Sequence, residues 1–240
     1  MRVEPYSVGS VVHIIKRGGR GMEIVRDDGD RWRFVRSLFI LNDLYQDPGR
    51  NFVMYESQTF VSVFERPEEW PERRPLVAIL GWTLLDNHLH LLVQEINEGG
   101  IAKFMQRLGG SMSLAFNEKY GTRGSIFQGA YKSRTVDSNE YLQYVHAYIT
   151  AKNVFDMYPG GVKKAMQEFE KAWKFASEYT FSSFLTAAIG APSPILDMKV
   201  MDDLGLIRKD FKEYARSMLA THAQSKEMDE ELGALILEEW

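Results

Sequence analysis

Two histidines separated by one residue stand in the apolar stretch that runs from Trp82 to Gln94. If this stretch is a β-strand, His88 and His90 project from the same face, because successive side chains of a strand alternate between its two faces. Two neighbouring imidazoles on one face form half of a metal site. Such a pair also occurs in strands as a purely structural feature, so the pair by itself does not decide the function.

The composition indicates a folded globular protein, since 45% of the 240 residues are hydrophobic and 12% are aromatic. The absence of cysteine excludes disulfides, thiolate metal sites and a cysteine nucleophile. No apolar run approaches the roughly 20 residues of a membrane helix, and no signal-peptide core follows Met1. We therefore expect a soluble, cytoplasmic protein with no membrane partner.

The formal net charge of −4 argues mildly against a nucleic-acid partner. The charge is segregated, however: residues 100–136 are mainly basic, and acidic residues dominate after Met198. A second basic segment is the glycine-rich turn from Lys16 to Gly21, in which Arg17 and Arg20 could hold a phosphate. A solvated hairpin tip is an equally good interpretation of this turn.

The hydrophobic pattern predicts the order strand, helix, strand, strand, helix, strand, followed by further helices. Strands are expected at residues 8–15, 75–85, 87–95 and 128–136, and helices begin near Asp28 and Gly100. This order predicts an α+β protein with a ferredoxin-like, split β-α-β antiparallel sheet and helices on one face. We expect this domain at residues 1–190, with an irregular insertion at 51–74, and a helical C-terminal appendage at 191–240.

A further helix is expected from Ser138 to about Phe155, with Asp137 as its N-cap. Tyr141, Tyr144 and Tyr148 lie close to one face of it. The residues alone do not distinguish a catalytic tyrosine from core or surface aromatics here.

Several short motifs follow one another in a definite order. They are His13–Gly18, Arg26–Phe34, Asn87–Leu92, Gly124–Ser133, Tyr141–Leu142, Ala147–Ile149 and Tyr179–Ser183. This ordered series resembles the single-tyrosine HUH transposases, and in particular the branch of REP-associated tyrosine transposases. The resemblance covers roughly residues 8 to 190.

The resemblance implies cleavage and rejoining of single-stranded or hairpin DNA by a tyrosine nucleophile with a divalent metal, Mg²⁺ or Mn²⁺. It assigns the metal to His88 and His90 and the nucleophile to Tyr148. A phenol is a poor nucleophile until its proton is removed or its target is polarised. A metal that grips the scissile phosphate would provide that polarisation.

One position departs from the family pattern, in which Asn or Gln commonly stands one helical turn after the tyrosine and completes the metal site. Here Lys152 occupies that position, and an ammonium group cannot bind a metal. Three interpretations are open. Asn153 takes the role through a slightly shifted helix, Lys152 contacts the phosphate, or cleavage is impaired.

The residues expected to bind DNA are Lys16, Arg17, Arg20, Lys132, Arg134 and Lys152. The main hypothesis is a metal-dependent DNA transposase. One alternative is a domesticated DNA-hairpin-binding protein without cleavage activity, and a second is an unrelated metallo-hydrolase. The sequence leaves open whether the chain acts as a monomer or as a homodimer.

Overall fold

Four strands form one antiparallel sheet in the computed structural model, which describes residues 6–46 and 64–224, with side chains to residue 220. The strands are β1 (Val11–Arg17), β2 (Val77–Leu84), β3 (His88–Glu95) and β4 (Lys132–Val136). Their order in the sheet is β2-β3-β1-β4, and each neighbouring pair is antiparallel. This is the strand order of the predicted ferredoxin-like sheet.

Two crossover helices, α1 (Asp28–Ile40) and α2 (Gly100–Tyr120), cover one face of the sheet. Asp27 starts α1, since its side chain accepts a hydrogen bond from the backbone N–H of Asp30. On this face Phe34 of α1 packs against Trp82 of β2, with ring centroids 5.8 Å apart. The predicted α+β fold class is therefore confirmed.

The register of the strands sorts their side chains into two sets. Val12, Ile14, Leu89 and Leu91 point toward α1 and α2 and are fully buried or nearly so. His13, Ile15, His88, His90 and Arg17 point to the opposite face, because they alternate with the first set along β1 and β3. The sheet thus separates an apolar core face from a face that carries polar groups.

The chain after β4 covers this second face, which the sequence analysis left without a helix. It consists of α3 (Asn139–Ala147), a π-helix (Tyr148–Lys152) and α4 (Asn153–Asp156). The N-cap of α3 is Ser138, whose side chain accepts the N–H of Tyr141, and not the expected Asp137. Both residue types cap helices well, so the sequence alone did not separate the two.

Five further helices follow among the described residues. They are α5 (Gly161–Gln167), α6 (Phe169–Glu178), α7 (Phe184–Ile189), α8 (Met198–Asp203) and α9 (Phe211–Gln224). Glu168 separates α5 from α6, because its φ of −118° and ψ of 42° are not helical. Within the described part of the chain, no helix is long and apolar enough to cross a membrane.

The segments on either side of residue 190 share one core with the sheet. Ile195, Leu196 and Met201 are buried in that core, and the N–H of Asp197 donates to the carbonyl of Ile79 in β2. The proposed domain boundary near residue 190 stays a prediction. Of the expected insertion at 51–74, the described part (64–74) contains neither helix nor strand, and 51–63 lie outside the described residues.

Candidate active site

The two histidines of β3 share one face, as expected from their spacing. Their rings lie 4.9 Å apart, centroid to centroid, at an interplanar angle of 67°. His90 is fully buried, whereas His88 is half-buried toward the end of the strand. Imidazoles at this separation can converge on one cation.

Each histidine is held at the same ring atom by a neighbour. Nδ1 of His88 lies 2.6 Å from Oδ1 of Asn87, and Nδ1 of His90 lies 3.1 Å from Nε2 of His13 on the adjacent strand. When Nδ1 is engaged in this way, Nε2 is the atom that remains to bind a metal. His13 is therefore part of the site, although the sequence analysis gave it no role.

Tyr148 lies against this pair within the same chain. Its ring centroid is 6.0 Å from that of His90 and 6.4 Å from that of His13. The residue is only 2% exposed, so DNA reaches the hydroxyl only if the groups that cover it move. Tyr144 lies 6.2 Å from Tyr148, ring to ring, on the preceding turn.

The helix that carries Tyr148 is fixed tightly to β2. The hydroxyl of Thr83, which pairs with His90 in the sheet, donates a hydrogen bond to the carbonyl of Ile149. A Cβ added at Gly81 would lie 3.3 Å from Cγ2 of Thr150, closer than ordinary van der Waals contact. Glycine in β2 thus lets the helix approach the sheet closely enough for Tyr148 to reach the histidines.

The π-helix changes which residue lies one turn after Tyr148. The N–H of Asn153 donates to the carbonyl of Tyr148, a bond that spans five residues and not four. Asn153 therefore takes the backbone position that residue 152 would occupy in a regular α-helix. This agrees with the shifted-helix interpretation of the departure from the family pattern.

Lys152 remains beside the tyrosine as well. Its Nζ lies 3.3 Å from the hydroxyl oxygen of Tyr148, 4.6 Å from the ring centroid, and 2.7 Å from Oδ2 of Asp156. The ammonium group thus connects the tyrosine hydroxyl to a carboxylate whose side chain is 39% exposed.

The donor set available for a metal is two imidazoles and one amide. Asn153 is 1% exposed, and its Nδ2 has no hydrogen-bond partner among the described residues. Because the oxygen and the nitrogen of an amide are assigned from such contacts, the atom without a partner can equally be the side-chain oxygen, which is a ligand type that suits Mg²⁺ or Mn²⁺. No cluster of three or more His, Cys, Asp or Glu side chains that could hold a metal occurs in the described ranges. A metal held by two imidazoles would need oxygen ligands as well, and an amide oxygen, the substrate and water are groups that can supply them.

Four of the basic residues expected to bind DNA lie on the histidine face of the sheet or just beyond the end of β1. Arg17 is opposite His88 in the register, and Lys132 and Arg134 pair with Ile15 and His13, so all three share the histidine face. Arg20 is exposed in the 3₁₀ turn that follows β1. Arg134 also lies over the ring of Tyr141, at 5.4 Å, and burial raises the pKa of that phenol against the opposing effect of Arg134.

Lys16 is not brought to the site. It alternates with Arg17 and points to the opposite face, where its Nζ donates to the carbonyl of Gly129 at 2.9 Å and lies 4.5 Å from the ring of Phe127. Only 8% of the residue is exposed, and burial lowers the pKa of its ammonium group. The expected phosphate contact by Lys16 is therefore corrected to a structural role under the loop before β4.

The antiparallel sheet carries the paired histidines on one strand, and the helix with Tyr148 packs over them, which is the arrangement expected from the sequence. The sequence model of the family described as transposase, IS200 like, matches residues 72–152, about a third of the chain. This segment contains His88, His90, Tyr148 and Lys152 and ends one residue before Asn153. The match to this family model agrees with the predicted resemblance to single-tyrosine transposases.

One solved structure similar to this chain is described as "Structure of the REP associates tyrosine transposase bound to a REP hairpin". The sequences are 13% identical, the TM-score is 0.44, and the match covers 81% of this chain and 88% of that one. A TM-score below 0.5 does not establish a shared fold, so the fold assignment rests on strand order and register. Comparison with curated protein sequences gave no match.

Proposed function

We propose that this protein cleaves and rejoins single-stranded or hairpin DNA through a covalent bond between Tyr148 and a 5′ phosphate. The observation that carries the proposal is the approach of the Tyr148 ring to within 6.0 Å of His90 in the same chain. The tyrosine and the histidines therefore need no second subunit to meet. The match of residues 72–152 to the model of a transposase family supports the same chemistry.

In this proposal His88, His90 and Asn153 hold one Mg²⁺ or Mn²⁺. When bound, the metal supplies positive charge that polarises the scissile phosphate and stabilises the leaving 3′ oxygen. Tyr148 attacks phosphorus, the new bond joins its oxygen to the phosphate, and the bond to the 3′ oxygen breaks. A 3′ hydroxyl reverses the step and joins two strands without an external energy source.

The DNA strand in this proposal crosses the histidine face of the sheet. Arg17, Lys132 and Arg134 lie on that face, and Arg20 lies beyond the end of β1. Such residues neutralise phosphates and fix the register of the strand, while base contacts provide sequence preference. The hairpin named for the similar solved structure suggests a hairpin as the first substrate to test.

A second candidate function is hairpin binding without cleavage. The burial of Tyr148, which leaves only 2% of the residue exposed, favours it, because a scissile phosphate cannot reach a covered hydroxyl. In this alternative the basic residues of the histidine face would hold the hairpin and the tyrosine would be a core residue.

The two candidates are separated by a search for a covalent adduct. The wild-type chain is incubated with Mn²⁺ and fluorescent hairpin oligonucleotides that carry randomised single-stranded flanks. We expect a labelled protein band that survives denaturation, that is absent in Tyr148→Phe, and that persists in the matched control Tyr144→Phe. Hairpin binding by the wild type without any adduct would establish the second candidate instead.

A further inference from the structure

We propose that Lys152 is a catalytic residue that stabilises the phenolate form of Tyr148 during both cleavage and rejoining. This inference rests on the proposed function and goes beyond it, because neither a metal ligand nor a phosphate contact is needed to explain the position of Lys152. The contact that carries it is the distance of 3.3 Å between Nζ of Lys152 and the hydroxyl oxygen of Tyr148.

The geometry suits an electrostatic role toward the tyrosine. The ammonium group lies 4.6 Å from the centre of the Tyr148 ring, so it contacts the ring as well as the oxygen. Lys152 is only 7% exposed, and a charge–charge interaction is stronger there than in water. An ammonium group that donates to a phenol oxygen favours the negative charge that forms on it.

Asp156 keeps the ammonium group in place. Its Oδ2 lies 2.7 Å from Nζ, one helical turn after Lys152. The carboxylate is partly exposed, so it connects the pair to solvent. In the π-helix Asn153 takes the backbone position one turn after Tyr148, and Lys152 still contacts the hydroxyl of Tyr148.

The step balances without a further reactant. The phenolic proton of Tyr148 passes to solvent, the bond from its oxygen to phosphorus forms, and the bond from phosphorus to the 3′ oxygen breaks. The 3′ oxygen takes a proton from solvent. Lys152 takes no part in the proton transfer and donates a hydrogen bond to the tyrosine oxygen as charge forms on that oxygen. In rejoining, the same contact stabilises the phenolate as it leaves.

The first test measures the rate of adduct formation with the hairpin oligonucleotides and Mn²⁺. We expect Lys152→Met to slow adduct formation roughly 10- to 100-fold, the range expected for loss of one hydrogen bond to a charged group. Lys152→Arg should restore part of the rate, and ethylammonium ions should restore part of the rate of Lys152→Ala. Lys174→Met is the matched control, because Lys174 is an exposed lysine paired with Glu178 on α6.

The rate of rejoining and the affinity for hairpin DNA distinguish stabilisation of the phenolate from direct binding of the DNA by Lys152. Loss of phenolate stabilisation slows cleavage and rejoining alike and leaves hairpin affinity unchanged within a factor of about 2. A large loss of affinity in Lys152→Met, with normal rates on bound DNA, would overturn the proposal. So would a wild-type rate in that variant.

A measurement of Tyr148 ionisation without DNA tests the effect of Lys152 separately from DNA cleavage. Phenolate absorbance near about 295 nm is followed against pH, and the Tyr148 signal is the difference from the matching Tyr148→Phe variant. The titratable groups that face Tyr148 include His13 and His90 of the sheet, Tyr144 of its own helix, and Lys152 with Asp156.

We expect the Tyr148 phenolate to form at lower pH in the wild type than in Lys152→Met, by about one pH unit. Equal curves would overturn the role of Lys152. If the wild type forms no adduct on any oligonucleotide, the cleavage hypothesis fails, and the absorbance curves still decide whether Lys152 stabilises the phenolate.

Discussion

His90 is the residue in which most of the site's contacts meet. Its ring stacks on His13 at 5.4 Å, faces His88 at 4.9 Å and faces Tyr148 at 6.0 Å. A buried imidazole in such surroundings has one ring orientation that satisfies its neighbours. The contact with His13 sets which nitrogen of His90 is presented to a cation. His13 is therefore expected to matter for metal binding although it need not touch the metal.

Replacing His13 with leucine should lower the affinity for Mn²⁺ by about 10- to 100-fold, the usual effect of removing a group that orients a ligand. Leucine fills most of the buried space, so the fold should be retained. Titration calorimetry with Mn²⁺ measures the effect without DNA. Gln94→Ala, on the same face of β3, is the control and should bind Mn²⁺ as the wild type does. Equal affinities in the wild type and His13→Leu would contradict the orienting role.

The helix that carries Tyr148 shows how the sequence determines some features of the site and not others. The alternation of apolar and polar residues placed His88 and His90 on one face of a strand, and this depends only on neighbouring residues. The position of Asn153 depends on a π-turn, for which the sequence carries no local signal. The partner of His90 lies 77 residues away along the chain, so only the strand pairing reveals it.

The prediction for Lys16 was wrong because its surroundings depend on a helix that is distant in the sequence. A basic residue beside two arginines and three glycines suggested a phosphate contact. Alternation along β1 instead turns its side chain toward α2, where a Cβ at Gly109 would lie 2.8 Å from Cε of Lys16. The absence of a side chain at Gly109 makes room for the lysine stem. A single sequence gives no signal that a glycine in a helix and a lysine in a strand will be in contact.

Deleting Lys152 should convert the π-helix into a regular α-helix while the rest of the chain keeps its position. The N–H of Asn153 already donates to the carbonyl of Tyr148, and this becomes an ordinary four-residue bond when Lys152 is absent. We expect the free energy of unfolding to change by no more than about 1 kcal/mol, since the carbonyl of Tyr148 keeps its backbone partner and the later residues keep their places against the sheet. Chemical denaturation with urea measures this change.

The matched control is deletion of Leu142, about three turns earlier in α3, where the helix is regular. There the deletion rotates every later residue by about 100° and moves the apolar side of the helix away from the sheet. A loss of several kcal/mol is expected for this control. If deletion of Lys152 destabilises the protein equally, the π-helix is not the local insertion that its hydrogen bond indicates.

At the scale of the whole molecule, two apolar clusters meet along the tyrosine helix. One contains the sheet with α1 and α2, and the other contains Ala151, Phe155, Phe169, Phe184 and Phe211 among others. The C-terminal helices therefore press the tyrosine helix against the histidine face. His146 lies where these parts join, with its ring 6.1 Å from that of Phe211 and close to Gly81 of β2.

Because His146 is 1% exposed in these apolar surroundings, burial lowers its pKa from the ordinary value of 6.5 to about 4. The unfolded chain binds a proton at this histidine below pH 6.5, while the folded chain binds it only near pH 4. The free energy of unfolding therefore does not depend on this histidine's charge above pH 6.5. It decreases as the pH drops from 6.5 toward 4, by about 3 kcal/mol at most.

Urea denaturation of the wild type and of His146→Gln at a series of pH values isolates this contribution, because the other titrating groups are common to both chains. We expect the variant to be less stable at pH 7.5 and to lose less stability on acidification. Parallel curves between pH 7 and pH 4 would mean that the charge state of His146 does not contribute to the attachment of the C-terminal helices.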